Sequence, residues 1–173
     1  NKMVHNFNIR KPNCAINQKG IKNLRKLTHL YAYNNKNITN VNFLKNTLVY
    51  LDCSGICGIN QNGIKNLKVI KYLDVSDNKK INNVNHLANT LIDLKCDGKS
   101  GVDQKGIMDL KILKYLSVNK NVNIYNVNHL KNTLITLSCE NNSGINQNGI
   151  MDLKNLITLY VSGNDKIKDI KHL

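Results

Sequence analysis

A chain of 173 residues and 19.6 kDa is long enough for one domain with a sizeable core, and a hydrophobic fraction of 41% excludes wholesale disorder. No apolar run approaches the roughly 18 residues of a membrane-spanning helix, and no secretory signal is visible. The net charge of +14 raises nucleic acid as a partner, but the cations are nearly all Lys, with Arg10 and Arg25 the only arginines, and a chain rich in Asn, Lys and Ile is also what an AT-rich genome encodes.

In chain order, Val4, Phe7 and Ile9 open the sequence as the apolar positions of a first coil. Residues 15–24, AINQKGIKNL, introduce a phrase that returns as GINQNGIKNL at 58–67, GVDQKGIMDL at 101–110 and GINQNGIMDL at 144–153. Its glycines, Gly20, Gly63, Gly106 and Gly149, each stand 43 residues after the last. A second unit alternates with it, LTHLYAYNNKNITNVNFLKNT at 27–47, IKYLDVSDNKKINNVNHLANT at 70–90 and LKYLSVNKNVNIYNVNHLKNT at 113–133. The 43-residue period is therefore two coils, one of 22 residues (48–69) and one of 21 (70–90). Every coil opens with apolar residues at positions one, four and six, as in Leu48, Leu51, Cys53 or Ile70, Leu73, Val75.

That opening predicts a short strand over positions three to seven, with four and six pointing inward and three, five and seven outward. Stacked coils then make one parallel sheet with strands about 4.8 Å apart. In the repeated phrase Gly149 is expected to permit a tight turn, and the spacing of Ile150, Leu153 and Leu156 predicts a short helix against the core. On this reading the phrase is scaffold and not an active site.

The L-x-x-L-x-L opening, with Asn at Asn35, Asn78, Asn121 and Asn164, resembles the leucine-rich repeat over essentially the whole chain. The 22-residue coils are similar to the cysteine-containing repeats of F-box adaptor proteins, with I-N-Q-N-G-I-K-N-L standing where those have I-T-D-x-G-L-x-x-L. They are shorter, and the chain contains no F-box. The resemblance implies an α/β fold, a right-handed leucine-rich-repeat solenoid or horseshoe with a concave parallel β-sheet, forming a single domain of about eight coils over residues 1–173. It also implies a substrate-recognition adaptor role and an amoebal or giant-virus origin.

Five cysteines invite a disulfide or metal reading. Cys53, Cys96 and Cys139 recur two coils apart, which separates their Cα atoms by roughly 9–10 Å, beyond the reach of about 7 Å for a disulfide. Cys14 and Cys57 fail the same test, and a local Cys53–Cys57 bridge would be strained. Free thiols point to a reducing compartment, hence the cytoplasm, or the host cytoplasm for a viral protein. His86, His129 and His172 recur at the same interval, too far apart to share one metal ion, and are expected on the convex surface. The Asn column is expected to be a hydrogen-bonding ladder between coils. No nucleophile, phosphate-loop or metalloprotease motif is present, so no catalytic residue, metal or cofactor is assigned. The sequons at Asn37 and Asn141 matter only in a secreted protein.

Function is then sought on the outward strand positions. They hold six of the seven tyrosines and the acids Asp52, Asp74, Asp93, Asp97 and Glu140, against only Lys95 and Arg10. A protein partner is expected to bind there, on Tyr31, Tyr33, Tyr50, Asp52, Tyr72, Asp74, Asp93 and Tyr115. The alternative is a nucleic acid or other polyanion bound along convex and edge lysines such as Lys65, Lys68, Lys111, Lys131 and Lys154. The apolar ends predict a longer natural chain or end-to-end self-association.

Overall fold

The computed structural model describes residues 5–8 and 15–173, so Val4, Ile9, Arg10 and Cys14 lie outside the described residues. Eight three-residue strands form one open sheet: β1 (Asn6–Asn8), β2 (His29–Tyr31), β3 (Tyr50–Asp52), β4 (Tyr72–Asp74), β5 (Asp93–Lys95), β6 (Tyr115–Ser117), β7 (Thr136–Ser138) and β8 (Thr158–Tyr160). Each pairs in parallel with the next, in chain order, with the same coil positions in register throughout. The chain is a repeat solenoid of parallel strands with little helix.

The period-two pattern explains the burial. Leu30, Leu51, Leu73, Leu94, Leu116 and Leu137 at position four are buried, as are Ala32, Cys53, Val75, Cys96, Val118 and Cys139 at position six. The return segments add Ile64, Ile107 and Ile150 and the column Val41, Val84, Val127, all fully buried, making one continuous core. Each such Leu or Ile contributes about 1.5–3 kcal/mol by leaving water.

The return segments are less helical than the sequence spacing predicts. Among the described residues only α1 (Gln18–Ile21) and α2 (Gln61–Ile64) are α-helical, one turn each, while Lys105–Ile107 and Gln147–Ile150 are 3-10 turns. A coil of 21 or 22 residues leaves no room for a longer helix once the strand and two turns are drawn. Polar side chains replace the missing backbone bonds. Gln61 accepts the N–H groups of Asn82 and Asn83 at 3.0 Å and donates to the Asn83 carbonyl at 2.8 Å, and Gln18, Gln104 and Gln147 repeat the pattern. Asn60 and Asn146 accept from Gly63 and Gly149 as N-caps. The repeated phrase is thus the set of connectors that ties one coil to the next.

Gly149 lies in the tight 3-10 turn Gln147–Ile150, but its φ is not in the left-handed region, so space rather than backbone freedom is what requires a glycine. A Cβ there would lie 2.1 Å from the Tyr125 carbonyl oxygen, and at Gly63 and Gly106 it would lie 2.3 and 2.2 Å from Thr39 and Asn82 oxygens. These glycines let two backbones touch. The sharp turn comes at position eight of the seven coils from residue 27 onward, in the left-handed region, at Asn34, Gly55, Asp77, Gly98, Lys120, Asn141 and Gly163.

Candidate functional site: the outward face of the sheet

The parallel register brings the tyrosines of successive strands together. His29, Tyr50, Tyr72, Asp93, Tyr115, Thr136 and Thr158 form one row. Ring centroids lie 4.7 Å apart for Tyr31–Tyr50, 5.8 Å for His29–Tyr50 and 6.3 Å for Tyr50–Tyr72, within the range of favourable aromatic pairs. Tyr72 and Tyr115 are about two-fifths exposed, at 40% and 42%, so broad ring surface remains open to solvent. Tyr33 lies beyond the end of β2, with its ring over Gly55 at the rim of the sheet.

Asp52 departs from expectation. It is 4% exposed, and its carboxylate accepts the Ser54 hydroxyl and the Ser54 N–H, so it is a buried turn-former rather than a contact residue. Asp52 and Asp74 stand opposite each other in register, and two carboxylates side by side need such compensation. Asp74 accepts the Ser76 N–H at 3.0 Å, and its carboxyl is pushed above the usual range by burial and, less strongly, by the Asp52 charge. Asp93 and Asp97 are raised by burial too, with Lys95 acting against the rise in both. Lys95 therefore stands among Asp74, Asp93 and Asp97, as the one cation on the outward strand positions among the described residues.

Two features escaped the sequence reading. The first is a chain of polar side chains across β5 to β7. Asp97 accepts the Ser117 hydroxyl at 2.7 Å and the Asn119 N–H at 2.8 Å, while Asn119 accepts the Ser138 hydroxyl at 2.8 Å and the Glu140 N–H at 2.7 Å. The second is a notch of about 390 Å³ between Tyr115 and Tyr160, floored by Leu116, Ser117, Thr136 and Ser138. Its sequence signal was available, since position three and five residues turn small at Thr136, Ser117 and Ser138 between two tyrosines.

The return side carries other chemistry. His129 is half-buried, its Nε2 3.1 Å from the Ile107 carbonyl oxygen and its Nδ1 buried without a partner, and His86 meets the Ile64 carbonyl likewise. His86 is exposed, as the sequence predicts, whereas His129 is half-buried, and each ring meets a main-chain carbonyl of the preceding coil. Burial lowers the pKa of both. Cys53, Cys57, Cys96 and Cys139 are free and buried, and among the described residues no group of three or more His, Cys, Asp or Glu side chains could hold a metal ion. No described helix is long and apolar enough to cross a membrane.

A scan of the chain against models of known protein families finds no match, and a search of curated proteins finds none either.

Proposed function

We propose that the chain is a leucine-rich-repeat horseshoe that acts as a non-enzymatic protein-recognition module, binding its partner on the concave, tyrosine-rich and acidic face of the sheet. The observation that carries this reading is the aromatic row His29–Tyr50–Tyr72 with Tyr31 packed against it, continued by Asp93 and Tyr115. Tyrosine offers large contact area at small entropic cost, and neighbours already in contact lose little further freedom on binding. The acids favour a basic partner and would speed its approach. An adaptor role fits the similarity of the cysteine-bearing coils to those of F-box proteins, and buried reduced thiols fit a cytoplasmic setting.

One observation favours a second reading, polyanion binding at the opposite edge. Lys45 and Lys68 stack there, joined by a 3.1 Å backbone bond, and Lys111, Lys131 and Lys154 continue the exposed line. No aromatic residues interleave with them to stack on bases, so this edge ranks below the tyrosine face.

A photo-cross-linker placed at Tyr72, and separately at Lys65 on the return side, separates the two. A protein cross-linked from position 72 and not from 65 supports the proposal. Nucleic acid cross-linked from position 65 alone overturns it.

A further inference from the structure

We propose that the notch between Tyr115 and Tyr160 is a subsite for an arginine side chain of the protein partner. The inference rests on the reading of this face as a protein-binding surface, and it concerns a part of the face that the sequence did not single out.

The positions of the hydrogens decide what the notch can receive. The Asn119 N–H and the Glu140 N–H are main-chain donors, so the atoms that receive them must be acceptors. That makes the Asn119 atom near Glu140 its Oδ1, at 2.7 Å. Ser138 meets the same oxygen at 2.8 Å, so Ser138 must donate its only hydrogen to it. Ser117 likewise donates to the Asp97 carboxylate at 2.7 Å and receives the Asn119 Nδ2 at 3.2 Å. Both serines line the notch, and both hydroxyls have spent their hydrogens, so a ligand can meet those oxygens only by donating. Glu140 and Asp93, at two sides of the notch, add carboxylate acceptors. A carboxylate or carbonyl group would find no donor at the two serines and would have to rely on Lys95 and the Thr136 and tyrosine hydroxyls at the walls.

The walls narrow the choice further. Tyr115 and Tyr160 are 42% and 52% exposed, and they flank a floor of small side chains. A ring face attracts a cation, and a flat cation presents its face to the ring and its N–H edge to surrounding acceptors. Guanidinium is flat and carries five donors, whereas the lysine ammonium is a strongly hydrated point charge with no face to stack. Lys95 also lines the notch, but it stands on the β5 side among Asp74, Asp93 and Asp97, which leaves Glu140 as the acceptor on the β7 side.

The test uses the 173-residue protein and short capped peptides that differ only in a central arginine, citrulline, lysine or glutamate. Amide chemical shifts are followed during titration. The arginine peptide should give saturable shifts at Thr136, Ser138, Glu140 and Tyr160, and should bind about tenfold tighter than the citrulline peptide, which has the shape without the charge. Tyr160→Ala and Glu140→Gln should each weaken it several-fold, with the remaining amide spectrum unchanged, while Lys65→Ala on the return side should have no effect. Absence of saturable shifts at those residues, equal binding of citrulline, or indifference to both Tyr160→Ala and Glu140→Gln overturns the proposal. Either result leaves the cross-link from Tyr72 as a separate test of the wider face.

Discussion

The side-chain amide of Asn121 donates to the main-chain carbonyl of Cys96 at 2.8 Å, reaching back one full coil. The same nitrogen donates to the Val102 carbonyl at 3.1 Å, and the Asn121 oxygen accepts the Asn123 N–H at 3.0 Å. Asn78 and Asn164 repeat all three bonds, one period away on either side. One buried amide therefore satisfies three backbone groups, two of them buried carbonyls.

Replacing Asn121 by Ala should leave two buried carbonyls and an N–H unpaired, at about 1 kcal/mol or more each. We expect a loss of about 3 kcal/mol, and a fall in Tm of roughly 10 °C for a chain of this size. Urea unfolding of Asn121→Ala beside the exposed Asn89→Ala checks it, and equal midpoints for the two would refute the role given to the ladder.

The glycines of the repeated phrase supply an internal comparison. A Cβ on Gly106 would lie 2.2 Å from the Asn82 carbonyl oxygen, whereas one on Gly20 would meet only a methyl of Ile16 at 3.3 Å. Gly106→Ala should force the coils apart and cost about 2 kcal/mol or more. Gly20→Ala should be neutral or slightly stabilising, by up to about 1 kcal/mol. Thermal melts of the two variants give the answer.

The thiols should be free and silent in the folded protein. Burial pushes Cys57 up to about 11 and Cys139 up to about 12, and raises Cys53 and Cys96 as well, so little thiolate exists near neutral pH. Thiol titration should find the described four protected under native conditions, with all five cysteines of the sequence free in denaturant. Recovery of three or fewer would show a disulfide.

Acid should weaken the fold through the imidazoles. The folded-state pKa values of His86 and His129 lie below the ordinary 6.5, so the unfolded chain binds protons more readily. Their contribution is present above pH 6.5 and is lost as pH falls through the lower folded values. Asp74, Asp93 and Asp97 have raised folded values and act in the opposite sense, gaining stability as pH falls through those raised values. Tm should therefore drop on going from pH 7.5 to 5.5, and a His86→Gln, His129→Gln double variant should flatten that drop. An unchanged slope in the double variant assigns it elsewhere.

The sheet was legible in the sequence because position is repeated: Leu51, Leu73 and Leu94 occupy one column, and period two does the rest. The tyrosine row followed from the same register. Burial of Asp52 was not legible, because it depends on the Ser54 hydroxyl folding back on the carboxylate at the turn. Nor was the Asp97–Ser117–Asn119–Ser138 chain, whose links from Asp97 to Ser117 and from Asn119 to Ser138 span about one coil and form only once that register is fixed. The turn at Gly149 was legible, but the reason for glycine there was not, because the Tyr125 carbonyl that excludes a side chain belongs to the preceding coil.

The central claim, that recognition belongs to the tyrosine face, is tested most directly by partner affinity in four variants. Tyr50→Ala and Tyr72→Ala remove the row, Asp74→Asn removes charge while keeping the acceptor for Ser76, and Lys65→Ala controls for the return side. At least one tyrosine change should cost about 2 kcal/mol in binding. Asp74→Asn should slow association of a basic partner, by an amount that shrinks as salt rises, and Lys65→Ala should leave affinity intact. Loss of binding in Lys65→Ala with both tyrosine variants unaffected would contradict the account.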